Sequence, residues 1–351
     1  MKRMRTLAGI SILALVLAAC SSGSSDTAAD TAAALDDSNC AAAESFCVGL
    51  VTDIGKVDDK SFNQSAHEGA MAAAAEVGGF YKYIETTDTK DYAANMGQFT
   101  DKGYDVIVTV GFLMAEATVT AAKANPNTKF IGVDQFQGEV VANLTGLIFP
   151  EDQAGYGAGY LAGLMTKTNK IGSVLGLEIP PVQLFAKGFE AGAKAANSKV
   201  AVTTVYHPPA DNGFGDPVWG AAEAKKQLAQ GADIIFGAGG GTGSGALIEI
   251  AKAEGAGTAV FCIGVDTDQW FTVPEAKPCL ITSAVKGLTL GTSDLVKQAF
   301  DGSIAGGNFA GSAGIADYHD FASIVPMDVQ DKVAGVVAGL KDGSIKTGVT
   351  L

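Results

Sequence analysis

Three aspartates stand where apolar runs end: Asp53 after Phe46–Thr52, Asp134 after Phe130–Val133, and Asp266 after Cys262–Val265. A carboxylate in such a place is costly unless it is solvated or paired. Each one alone fits a cap on the following turn or helix. Three at equivalent edges point instead to a ligand rich in hydroxyl or amine donors. Lys286 closes another apolar run, Ile281–Val285, as either the matching cation or a snorkelling surface lysine. Phe62 and Asn63 open a helix-like segment, and Phe236 ends a strand-like one. The two aromatics either pack into cores or stack a flat ring, nucleobase or flavin, between them. Phe185 and Phe189 lie one turn apart on a helical stretch, with Phe189 the better suited to a core. Gly239 and Gly240 belong to the run Gly237–Gly245, where bare backbone amides can approach a ligand.

Other chemistries are poorly supplied. Gly241, Gly243 and Ala246 satisfy the loose dinucleotide pattern G-x-G-x-x-G/A. That pattern normally opens the first βαβ unit of a domain, whereas this one falls late in its half. No Walker lysine follows it. The three histidines, His67, His207 and His319, are scattered, and no Ser-His-Asp, Cys-His or metal-ligand spacing is evident, so no catalytic residue, metal or cofactor is expected.

The elements that must position these residues alternate. Short apolar strands are separated by helix-like segments: Ser61–Val77, Tyr92–Lys102, Met114–Ala124, Glu151–Lys167, Pro181–Ala196 and a helix opened by Asp216-Pro217. Ser61 and Gln64 have capping-box spacing. A βαβα order implies parallel sheets with right-handed crossovers. The chain also echoes itself. Gly103-Tyr104-Asp105 leads through a helix to Ile131-Gly132-Val133-Asp134, and Gly231-Ala232-Asp233 leads through a helix to Ile263-Gly264-Val265-Asp266. Two doubly wound halves, each with an aspartate at its sheet's C-terminal edge, are the simplest reading. The cleft between them is where ligands bind in such sheets. Segments after residue 279 read as a strand Cys279–Lys286, a helix Thr289–Asp301, a strand Ala316–Phe321 and a closing helix Pro326–Asp342, crossing back between the halves. The expected first lobe is 45–150 plus about 280–312, and the second is 151–279 plus about 313–351. Hinges are expected near Glu151, within Asp266–Ser283 and within Ala305–Ala316.

At 351 residues, with 47% hydrophobic and 18% charged residues, the chain can bury two cores. A formal net charge of −14 and the lack of a basic stripe argue against nucleic acid. Residues 1–19 read as a signal peptide: Lys2, Arg3 and Arg5 precede an apolar stretch too short to span a bilayer. Leu17-Ala18-Ala19-Cys20 resembles a bacterial lipobox, with Cys20 lipidated (palmitate among its acyl chains) and residues 20–44 as a tether. Lipid chains anchor a protein and do not span. The remaining cysteines, Cys40, Cys47, Cys262 and Cys279, are even in number in an exported chain, and proximity favours Cys40–Cys47 and Cys262–Cys279.

The stretch from Val51 to Gln64, Val51-Thr-Asp53-Ile-Gly-Lys-Val-Asp-Asp59-Lys-Ser-Phe62-Asn63-Gln64, resembles the opening motif of the basic membrane protein lipoproteins, the substrate-binding proteins of nucleoside ABC importers. The likeness continues through Ile131–Gln135, Glu151–Tyr156, Phe185 with Gly188–Gly192, Phe236 with Gly239–Gly243, Ile263–Gln269 and Ser283–Lys286. It implies a type I periplasmic-binding-protein fold, α/β, with three interdomain crossings. It further implies a purine nucleoside (adenosine, guanosine or inosine) in the cleft, ABC permease subunits as partners, and a monomer. By that likeness Phe62 and Phe236 sandwich the base. Asp53, Asn63 and Asp134 contact base or ribose edges, and Asp266 and Lys286 hold ribose hydroxyls. Riboflavin or a sugar on the same fold remains an alternative, as does a dinucleotide-dependent enzyme using Gly237–Gly245. An acidic cleft should repel the phosphate of a nucleotide.

Overall fold

A computed structural model of the chain describes residues 36–210 and 212–351. The expected signal peptide and Cys20 lie outside them. In chain order the elements are β1 (Cys47–Ile54), α1 (Phe62–Glu76), β2 (Phe80–Thr86), α2 (Tyr92–Thr100), β3 (Val106–Val110), α3 (Ala115–Ala124), β4 (Lys129–Val133) and β5 (Leu144–Ile148). There follow α4 (Glu151–Met165), β6 (Lys170–Leu175), α5 (Pro180–Ala196), β7 (Ala201–Tyr206), α6 (Pro217–Ala229), β8 (Ile234–Ala238), α7 (Gly240–Ile250) and β9 (Phe261–Asp266). The chain ends with α8 (Gln269–Thr272), β10 (Leu280–Lys286), α9 (Leu288–Asp301), β11 (Gly307–Ala310), β12 (Ala313–Ile315) and α10 (Met327–Lys341).

These form two six-stranded sheets, β11-β5-β4-β3-β1-β2 and β12-β10-β9-β8-β6-β7. The echo in sequence is thus an echo in topology, because each half runs second-first-third-fourth-fifth. The first five strands of each pair in parallel, and the sixth is parallel in the first sheet and antiparallel in the second. Central strands such as β3 are buried at every position, as helices on both faces require. Equivalent aspartates tie down the opposite edge of each sheet. Asp105 accepts from the Cys47 amide (2.9 Å), and Asp233 accepts from Thr166 Oγ1 (2.7 Å) and the Lys167 and Thr168 amides. Glycines let α4 and α5 touch through their backbones: a Cβ on Gly159 would lie 2.0 Å from the Phe189 carbonyl oxygen. Cys40 is joined to Cys47 and Cys262 to Cys279, the pairing that proximity favours. Among the described residues no helix is long and apolar enough to cross a membrane.

Four local expectations change. Ser61 is not a side-chain cap; Asp59 is. Asp59 Oδ1 accepts from the Ser61 and Gln64 amides and Oδ2 from the Asn63 amide, while the Gln64 side chain turns to Glu68. A carboxylate two residues upstream reaches three orphan donors, which one hydroxyl cannot do. Ala316–Phe321 is not a strand: the edge strand is β12, and His319–Ser323 forms a 3-10 turn. Most of Gly237–Gly245 is not a loop, since α7 begins at Gly240 and its glycines are helical. Finally, β10 hydrogen-bonds to β9, so residues 280–286 belong to the second sheet. The lobe boundary expected at about 280, and the crossing expected within Asp266–Ser283, lie instead at Gly287, between β10 and α9, which packs on α1 in the first lobe.

Candidate functional site

The sheets put their C-terminal edges toward one cavity of about 600 Å³, counted to its open mouth. In each sheet the strand order reverses between the first and third strands, and the crevice at such a reversal is where open α/β sheets take ligands. Asp53 and Ile54 end β1 there, Gly111 and Phe112 follow β3, and Ala238 ends β8 with Gly239 next to it. Asp134 and Asp266 occupy matching places after β4 and at the end of β9. Both have left-handed backbone, φ 60° and 65°, which aspartate tolerates better than most residues. The kink turns each carboxylate off the strand and into the cavity wall.

Asp53, Phe62, Asn63, Asp134, Phe185, Gly239, Gly240, Asp266 and Lys286 all line this cavity. Phe236 does not. It is fully buried in the second lobe's core, stacked on Phe189 with centroids 4.9 Å apart and 6.3 Å from Phe185. The strand's alternation aims its side chain at the helical layer, away from the sheet's edge. The aromatic wall of the second lobe is instead Phe214, from the loop between β7 and α6, together with Phe185. Phe214 rests on bare backbone, since a Cβ on Gly176 would lie 2.4 Å from its ring. Phe112 adds a ring from the first lobe. Phe214 sits between glycines with no periodicity to flag it, so sequence reasoning missed it. Asp59, also in the wall, could be read only as a turn residue.

The polar groups divide by whether their atoms are already engaged. Asp53 Oδ1 accepts from the Ile54 amide (2.6 Å) and from the Tyr92 hydroxyl, and Oδ2 accepts from the Leu113 amide (3.1 Å). It therefore orders the wall that carries Phe112. Asn63 Oδ1 and Asp134 Oδ1 are buried without a partner among the described residues. Buried acceptors left open are expensive, so these two are the groups that call for donors on a ligand. Asp134 Oδ2 takes a hydrogen bond from Lys286 Nζ at 2.5 Å. Lys286 Nζ also lies 3.3 Å from Glu151 Oε1 and 3.9 Å from Asp266 Oδ1. It sits 4.7 Å over the Phe62 ring centroid.

Burial dominates the proton affinities. It raises the carboxyls of Asp53, Asp134 and Asp266 above their ordinary value. It pushes Asp59 up to about 7 against three amide hydrogen bonds, and Glu151 up to about 8 against the pull of Lys286. For Lys286 burial works downward, but Asp134, Glu151 and Asp266 together hold its pKa above the ordinary lysine value.

The lobes also touch across the cleft. Ser61 Oγ donates to Asp266 Oδ2 at 2.7 Å, and Thr272 Oγ1 and Gln269 Nε2 of α8 donate to the Lys60 carbonyl at 2.7 and 3.3 Å. Lys60 is held at φ 64°. The Ser61 hydroxyl, freed of capping by Asp59, thus bridges the two lobes.

The comparisons with known proteins bear on this geometry. A model of the Bmp family, described as ABC transporter substrate-binding protein PnrA-like, matches residues 46–315. The chain is 33% identical to the CD4+ T-cell-stimulating antigen of Listeria innocua, covering 98% of each. It is 30% identical to the ABC transporter nucleoside-binding protein BmpA of Lactococcus lactis (84% of this chain, 87% of the relative). It is 34% identical to basic membrane protein A of Borreliella burgdorferi (73% and 74%). A solute-binding protein structure from Aeropyrum pernix superposes with TM-score 0.76 at 24% identity, over 86% of this chain and 92% of that one. That likeness shows the periplasmic-binding-protein fold alone. With the family model spanning both sheets and the cavity, the chain belongs to the Bmp family of ABC transporter substrate-binding proteins.

Proposed function

We propose that this protein captures a purine nucleoside (adenosine, guanosine or inosine) between its lobes and hands it to the permease of an ABC importer. The observation that carries the reading is the pairing, in one two-lobed cavity, of aromatic rings from both sides (Phe62, Phe214) with buried open acceptors (Asn63 Oδ1, Asp134 Oδ1). A flat base with exocyclic and ribose donors satisfies both. Phe62 and Phe214 flank the base, Asn63 and Asp134 take its donors or those of the sugar, and Asp266 with Lys286 meets the ribose hydroxyls. Gly239 and Gly240 allow close backbone approach. Among the described residues, the one ammonium lining the cavity is already shared among three carboxylates, so a phosphate is offered no uncommitted cation there. A relative named as a nucleoside-binding protein supports the same reading.

The lobes close about the three crossings at Phe149–Glu151, Lys286–Leu288 and Ala310–Ala313, the hinge motion of periplasmic binders. The protein acts as a monomer, exported and held at the membrane by lipid on Cys20. Calorimetric titration with adenosine, inosine, guanosine, riboflavin, ribose and NAD tests the ligand class. Saturable binding of the nucleosides and weak binding of ribose is expected. Tight binding of NAD or riboflavin with none of the nucleosides refutes the reading. Cys20→Ser should release the protein from the membrane; retention would refute the anchor.

A further inference from the structure

Lys286 has three N–H donors and three carboxylates around it, and only two of those carboxylates line the cavity. The third is Glu151. It stands at the first position of α4, just past the first crossing, whereas Lys286 ends β10 just before the second. Asp134 belongs to the first lobe and Asp266 to the second. Glu151 therefore grips the ammonium from the hinge side while the two aspartates grip it from the lobes.

We propose that Glu151 is a positioning residue of the ligand site: it holds the Lys286 ammonium between Asp134 and Asp266, and it takes up a proton as the lobes close. This rests on reading the cleft as a nucleoside site. The charged groups facing Glu151 are Lys286 of β10 and Asp134 after β4, and Asp266 of β9 reaches the same ammonium. Its neighbour Asp152 is engaged with Thr347. Phe62, Phe149 and Phe185 surround the ammonium and keep water from it. One ammonium cannot balance three buried carboxylates, and an uncompensated buried anion is costly. A proton relieves the excess, and a protonated Glu151 still accepts from Lys286 through its carbonyl oxygen. Burial favours that proton, placing the carboxyl's titration at about 8. Opening the cleft parts the lobes, readmits water and returns the carboxyl toward ordinary acidity. The closed form then binds more protons between the ordinary value and about 8, so closure weakens as pH rises through that window.

The test is calorimetry of the whole chain with adenosine, inosine and guanosine from about pH 6.5 to 8.5, in buffers of different ionisation heat, on wild type, Glu151→Gln and Glu151→Ala. Wild type should take up protons on binding and lose affinity with rising pH, by up to about tenfold per unit for one full proton. Glu151→Gln, neutral at every pH and still an acceptor, should lose the slope across the whole range and, spared the cost of taking up a proton, bind at least as tightly as wild type at about pH 7.5. Glu151→Ala should bind weakly throughout; should it fail to fold, Glu151→Gln alone decides. Buffer-independent heats with intact wild-type binding, or a Glu151→Gln protein that keeps the slope, overturn the proposal. A wild type that binds no nucleoside overturns the ligand reading and this inference with it.

Discussion

Exchanging the roles of Phe236 and Phe214 makes a prediction with two independent readouts. Phe236 is fully buried and stacked on Phe189, so Phe236→Ala removes a ring from a packed core. Such truncations cost about 3–5 kcal/mol in lost transfer energy and residual cavity. For a chain of this size that corresponds to a melting-temperature drop of roughly 4–7 °C. Its ring does not line the cavity, so the folded fraction should bind nucleoside with near wild-type affinity. Phe214 lies partly exposed at the cavity wall over the backbone of Gly176, and little collapses when it goes. Phe214→Ala should therefore shift the melting temperature by only a few degrees. Losing one face of a stacked base costs about 1–3 kcal/mol, or about fivefold to 150-fold in affinity. Phe62→Ala should behave like Phe214→Ala. Thermal melts and calorimetric titrations on the same preparations separate the two. A Phe236→Ala protein of normal stability and weakened affinity would refute the placement of these rings, as would a Phe214→Ala protein that binds normally.

Three further outcomes follow from contacts already described. Ser61→Ala removes the hydroxyl that reaches Asp266 across the cleft, leaving a buried carboxylate oxygen unpartnered, and should weaken nucleoside binding by about 1–3 kcal/mol with little change in unliganded stability; unchanged affinity would mean that the contact plays no part in closure. Asp59 has its carboxyl raised to about 7 by burial, so the folded state binds an extra proton between the ordinary aspartate value and about 7, and stability should fall as pH rises through that range. Asp59→Asn, which resembles the protonated acid, should flatten that slope with little loss at low pH, as read from denaturant melts between about pH 5 and 8; a slope unchanged in the variant would assign the titration elsewhere. Opening the Cys262–Cys279 bridge, which closes a loop with a sequence separation of 17, should cost about 3 kcal/mol on the chain-entropy estimate, and opening Cys40–Cys47, separation 7, about 2 kcal/mol. Melts of the paired serine variants check the order.

Much of the architecture is local and so was readable in the chain. Parallel strands buried on both faces must be continuous apolar runs, and each must be followed by a crossover, so the alternation announced two doubly wound halves. The Ile-Gly-Val-Asp repeat announced their matched edges, because one chemical solution was used twice: a strand ended by an aspartate in left-handed backbone. Asp53, Asp134, Asp266 and Lys286 could be named from sequence because a charge that closes a buried apolar run must sit at the sheet's edge, where it meets water, a counter-charge or a ligand. Asp216 capping α6 before Pro217 was likewise written locally.

Tertiary structure alone decided what depends on direction and on distant partners. Phe62 and Phe236 each adjoin a sheet's ligand edge, but a side chain at a strand's end faces one layer or the other, and the register of β8 sends Phe236 into the core. Phe214 enters the cavity from a loop with no period, placed by contact with Gly176 from another element. Ser61 and Gln64 had the spacing of a cap, yet Asp59 competes for the same amides and wins with two oxygens, releasing the Ser61 hydroxyl to the other lobe. The membership of β10 in the second sheet rests on pairing across the fold, which no local pattern encodes. Glu151, in sequence only the start of a helix near a crossing, meets Lys286 because two crossings separated by 135 residues run side by side. Composition and period fix which surfaces must be buried, whereas the partner of each buried charge is set by the packing of elements far apart in the chain.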